Sequence, residues 1–168
     1  MRLFALKLCF LIGFISSLSG IEERERKVEL SVRAREINPD AKEHPEINYT
    51  FTRVKDKYQD MQHAIVDTSV PSRDRLVIWL MSYNPELSEY LASLGLHLIQ
   101  PHYANRWFSI VPKDTHDTGE CLGDIRLEAA IGEDHSPFVD IPKPDGLAAR
   151  SLNFVKWLAM ENPQGKWE

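Results

Sequence analysis

The segment Arg75 to Asn105 constrains the fold more than any other part of the sequence. Leu76-Val77-Ile78-Trp79-Leu80 is a continuous apolar run with β-branched and aromatic members, the pattern of a strand covered on both faces. Asn84-Pro85 stops the run and opens a helix, with proline in the first turn where its missing N–H costs nothing. Leu87, Tyr90, Leu91 and Leu94 follow at helical spacing as one apolar stripe. Gly95 stands where a helix-ending residue in the left-handed region belongs. Leu96 to Ile99 then reads as a second buried strand. Strands joined by a crossover helix lie parallel, so the expected fold class is α/β, built round one βαβ unit.

The flanking sequence fills out that sheet. Tyr49, Phe51 and Val54 alternate with Thr50 and Thr52 as a half-exposed strand, and Gln62 to Asp67 reads as another. Short strands separated by turns pair as antiparallel neighbours, which predicts a mixed sheet with antiparallel leading strands. Cys121 to Ile131 reads as a short helix with Leu122, Ile125 and Ala129 inward. Gly146 to Met160 reads as a longer one, with Leu147, Leu152, Val155, Leu158 and Ala159 on its apolar face and Asp145 as N-cap.

The N-terminal region is of a different character. Arg2 and Lys7, the apolar run Leu8 to Ile15 and the small residues up to Gly20 form a signal-peptide pattern, residues 1–19, with cleavage after Ser19. The apolar run falls short of the roughly 20 residues that a membrane anchor needs, so no stable anchor is expected. Residues 20–47 are dense in charge, Glu22 to Lys27 above all, and read as a mobile leader. The alternation Val28, Leu30, Val32 would also suit a short edge strand. On this reading the folded unit is 48–168, exported to the periplasm or beyond. Removal of the signal takes Cys9 with it and leaves Cys121 alone, either buried and inert or with its partner on chain not present here. With 20 basic against 25 acidic residues and no basic stripe, a nucleic-acid partner is not expected.

Two longer phrases carry a family resemblance: HAIVDTSVPSRDRLVIWLMSYNPELSEYLASLGLHLIQPHYANRWF, and CLGDIRLEAAIGEDHS followed by the IPKPDGLAARSLNFVKWL helix. Over about residues 60–168 the chain resembles the N-terminal half of an exported bacterial α/β-hydrolase-like family. That resemblance implies a partial three-layer sandwich and, in the full-length relative, a small ester or acyl substrate attacked by a serine. In such folds the serine sits in a G-x-S-x-G-like elbow after the next strand, with the acid and histidine later. No G-x-S-x-G occurs in this sequence, so the chain as written is expected to be inactive. The resemblance further implies a lost disulfide partner for Cys121 and self-association through a truncated sheet edge. Within Met81-Ser82-Tyr83-Asn84 it places an oxyanion-loop amide, at Ser82 or Tyr83.

Other candidate residues are weaker. Ser82 lacks an elbow, and His135-Ser136 are neighbours only in sequence. His97 and His102 lie five apart across a strand end and point to opposite faces, and Asp114, His116 and Asp117 match no metal spacing. No metal or cofactor is expected. The polar and aromatic set His102, Tyr103, Asn105, Arg106 and Trp107 follows the second buried strand, where open α/β sheets place ligand crevices. Two readings of that set stand: a binding loop, or a loop held by an arginine–carboxylate network with Asp124 or Glu128. If the hydrolase reading fails, the alternative is a non-enzymatic exported α/β binding domain.

Overall fold

The sheet starts where charge density is high. In the computed structural model, which describes residues 27–54, 57–111 and 120–167, β1 (Lys27–Arg33) pairs antiparallel with β4 (Met61–Asp67) over seven residues. Val28, Leu30 and Val32 face the core while Lys27, Glu29 and Ser31 alternate with them. The boundary expected at residue 48 therefore falls inside the fold, and residues 27–47 are no leader. The expected signal peptide, residues 20–26 and the Pro112–Gly119 loop with Asp114, His116 and Asp117 lie outside the described residues.

β4 in turn pairs antiparallel with β6 (His97–Gln100), and β6 pairs parallel with β5 (Leu76–Ile78). The order is β1-β4-β6-β5, a four-stranded mixed sheet in an α/β architecture. The strand expected at Tyr49–Val54 shrinks to β2 (Arg53–Val54), which pairs only with β3 (Lys57–Tyr58) in a separate ribbon. Tyr49 and Phe51 are instead buried ahead of it, in a cluster with Ile47, Ala104, Trp107, Ile125 and Ile141.

β5 is the main correction. It is an edge strand, and Leu76 and Ile78 are 43% and 44% exposed. Its apolar run satisfies only one face, where Val77 and Trp79 pack with Ile65, Ala92 and Leu98 beneath α2 (Pro85–Ser93). The other face of the sheet is covered by α4 (Leu147–Glu161), whose Phe154 and Leu158 meet Val32, Ala64, Val66 and Ile99, a set without β5 residues. Alternate residues of β4 serve the two layers, as strand geometry requires.

Helix ends follow local chemistry. The Asn84 side chain accepts the Leu87 N–H and caps α2. α2 lies on its small-residue face, Ser88 and Ala92, so Tyr90 and Leu94 of the expected stripe are exposed. α1 (Ala34–Ile37) extends β1, and α3 (Glu120–Ile131) buries Ile125 as expected. On α4 the buried face is Arg150, Ser151, Phe154 and Leu158, and Leu152 is exposed. Asp145 does not cap α4; the N-cap is Gly146 without a side-chain bond. Among the described residues no helix is long and apolar enough to cross a membrane.

Gly95 ends α2 at φ +78°, donating to the Ala92 carbonyl at 2.8 Å while Leu96 donates to that of Leu91 at 3.2 Å. This is the Schellman arrangement, and it turns the chain straight into β6. A β-carbon at Gly95 would collide with the Pro71 carbonyl oxygen. Gly95→Ala combines left-handed strain with that collision and should lower stability by at least about 2 kcal/mol in urea unfolding. An unchanged midpoint would show that the turn relaxes freely.

Candidate functional site

The carboxyl ends of β5 and β6 carry the chain into two loops, 79–84 and 101–107, and a set of clefts opens beside them. Crevices at this end of parallel strands are where open α/β sheets bind ligands. A mainly apolar cleft of about 280 Å³ is walled by Leu80, Trp107, Phe108, Ile125, Ala129 and Leu147, with Tyr103, Asn105 and Arg126 also lining it. A second hollow of about 240 Å³ lies on the other side of the loop, bounded by Asn48, Tyr49, Gln59, His102 and Arg106. Tyr103 and Asn105 belong to both.

The five residues expected to bind are thus partly together and partly apart. Tyr103, Asn105 and the exposed Arg106 line clefts. Trp107 is buried at 3%, its ring edge-on to His44 at 4.6 Å, and is part of the core as well as a cleft wall. Arg106 makes no network with Asp124 or Glu128. Glu128 is fully committed elsewhere: its carboxylate accepts the backbone N–H groups of His135, Ser136 and Ile141 at 2.9–3.0 Å and so holds the 135–141 loop. His135 and Ser136 are therefore loop residues anchored through their backbone.

His102 is held from beneath. Its ring stacks on Tyr49 at 5.0 Å and 15°, and the Arg150 guanidinium lies 5.3 Å from the Tyr49 ring centroid. Arg150 is 2% exposed and donates to the Asp145 carboxylate at 2.6 Å. Asp145 also accepts the Lys42 N–H at 3.1 Å and sits 3.2 Å from His44 Nε2. Burial raises the Asp145 carboxyl, but the His44 hydrogen bond and Arg150 outweigh it and hold it below the ordinary range. Burial raises the Tyr49 phenol as well, against the pull of Arg150. Tyr49 Oη, His102 Nε2, Arg150 Nη1 and Ser151 Oγ are buried without a hydrogen-bond partner among the described residues.

Tyr49, Arg150 and Asp145 escaped sequence reasoning as site residues. The available signal was Arg150 itself, an arginine at helical spacing between Leu147 and Phe154 on an apolar face, with a carboxylate five residues earlier.

The 79–84 loop is tied down at both ends. Trp79 Nε1 donates to the Ser82 carbonyl at 2.9 Å, and the Tyr83 hydroxyl donates to Glu29 on β1 across His63, whose ring it stacks on at 4.2 Å. Burial and that hydrogen bond raise the Tyr83 phenol. The backbone N–H groups of Ser82 and Tyr83 donate to no acceptor among the described residues. His97, by contrast, is structural: it bonds the Gly165 carbonyl at 2.5 Å and packs against Trp167. Among the described residues no three His, Cys, Asp or Glu side chains are placed to hold a metal.

Burial, then the nearby Arg150 charge, lowers the His102 pKa from 6.5 to about 4. Between those values the unfolded chain binds the proton that the folded chain refuses. The His102 contribution is therefore complete above pH 6.5 and lost as pH falls towards about 4, a change on the order of 3 kcal/mol. Urea unfolding across that window should show this slope in the wild type and lose it in His102→Gln. Equal slopes in the two proteins would mean that His102 is not held neutral.

No family model matches the chain, and no curated protein and no solved structure matches it either.

Proposed function

We propose that the chain is the N-terminal portion of an exported α/β-hydrolase-like protein of the serine esterase or acyl-hydrolase type, with the crevice beside loops 79–84 and 101–107 as its substrate side. The observation that carries this reading is the strand layout. Antiparallel β1 and β4 lead into the parallel β5-α2-β6 unit, and the crevice opens at its carboxyl end.

The β5 edge gives further support. Leu76 and Ile78 are exposed on an edge that no strand pairs among the described residues, an association hazard unless another strand covers them. After α4 the backbone docks through Gly165 on His97, at the amino end of β6, the end at which a further parallel strand would start, and β5 is the open edge for it to join. In the proposed fold that strand leads to the nucleophile elbow. The unbonded N–H groups of Ser82 and Tyr83 would supply the oxyanion donor. Left uncovered, the same edge is the surface through which copies of this chain would associate.

Without an elbow serine, only binding and oxyanion stabilisation act, worth at best about 10³–10⁴-fold over water. The 168-residue chain should take up no serine-directed fluorophosphonate and turn over no aryl ester. A longer product of the same reading frame should be labelled on a serine in the turn after its next strand. Peptide mapping reads the outcome. Stoichiometric label on Ser82, or on any serine of this chain, would overturn the proposal.

A further inference from the structure

The apolar cleft has chemistry of its own. Leu80, Phe108, Ala129 and Leu147 give it a greasy interior, and Ile125 and Trp107 close it towards the core. Its polar lining residues are few: Tyr103, Asn105 and Arg126. None of the three has a hydrogen-bond or ion-pair partner among the described residues, and Arg126 is exposed. Glu128, a carboxylate near Arg126 on α3, is spent on three backbone N–H groups. An apolar hollow with a small number of polar residues, one of them a cation that has no counter-ion among the described residues, has the composition of a small-molecule site. At about 280 Å³ the cleft lies at the lower end of such sites, so it suits a medium-length chain or a single ring.

We infer that this cleft binds a medium-chain monocarboxylate or its acyl equivalent, the chain against Leu80, Phe108 and Ala129 and the oxygens towards Arg126, Tyr103 and Asn105. Guanidinium matches carboxylate geometry with two parallel donors, and a neutral amide and phenol add donors without opposing charge. This names a substrate class for the hydrolase reading, but its test needs no catalysis, so the two fail separately.

Calorimetric titration of the 168-residue chain with octanoate, octylammonium and 1-octanol tests it. Octanoate should bind at least about tenfold more tightly than octylammonium, the factor expected of one charge-assisted hydrogen bond. Affinity across butanoate, hexanoate and octanoate should rise by up to about fourfold per methylene. Arg126→Gln should bring octanoate down to the level of octanol. Leu80→Glu, at a position 37% exposed, sets a carboxylate in the cleft with Arg126 and should abolish the preference for octanoate over octylammonium. Equal binding of octanoate and octylammonium by the wild type would overturn the inference. So would octanoate binding that neither substitution changes, or no octanoate binding at all.

Discussion

A buried carboxylate, Asp145, joins three parts of the chain that the sheet does not. It takes the Lys42 amide and the His44 ring from the segment after α1, and the Arg150 guanidinium from α4. Burying two charges costs several kcal/mol per ion, and only additional hydrogen bonds make such a pair tolerable. Here the carboxylate is fully used, and Arg150 passes the constraint on through Tyr49 to His102. The position of the 101–107 loop, and with it both clefts, rests on this chain of contacts.

Two other carboxylates do similar work at smaller scale. Asp60, 0% exposed, takes Arg33 at 3.1 Å and so fixes the exit of β1 against the entry to β4. Glu128 gathers the amides of the 135–141 loop. In each case irregular backbone is buried near the carboxyl end of the sheet, where ladder partners are missing and N–H groups still need acceptors. The acceptors come from side chains. That economy leaves the crevice end built of loops on a rigid sheet, the usual arrangement for sites that must present side chains to a ligand.

The βαβ unit was legible because its signals are local: an asparagine cap, helical spacing, and a glycine at φ +78°. The edge position of β5 was not, because an apolar run looks the same whether one face or two are covered. Only the neighbours decide. β1 was hidden by its own solvent face, where Lys27 and Glu29 raise the charge density of a strand whose alternate residues are core. Tyr103 and Asn105 line both clefts because the chain leaves the sheet there, at the carboxyl end of β6. Trp107 went to the core because a large ring next to His44 and Ile125 gains more from burial than from exposure. Arg150 was missed because the helix was read for apolar residues alone.

The dependence of the crevice end on the Asp145–Arg150 pair is open to one direct measurement, a double-mutant cycle of Asp145→Asn and Arg150→Met followed by urea unfolding at neutral pH. Each single substitution should cost about 3–5 kcal/mol, because it strands a buried charged or polar partner. The double substitution should cost less than the sum by a coupling of about 2–3 kcal/mol. A coupling below about 0.5 kcal/mol, the additivity expected of independent sites, would show that the pair does not hold this end of the fold together.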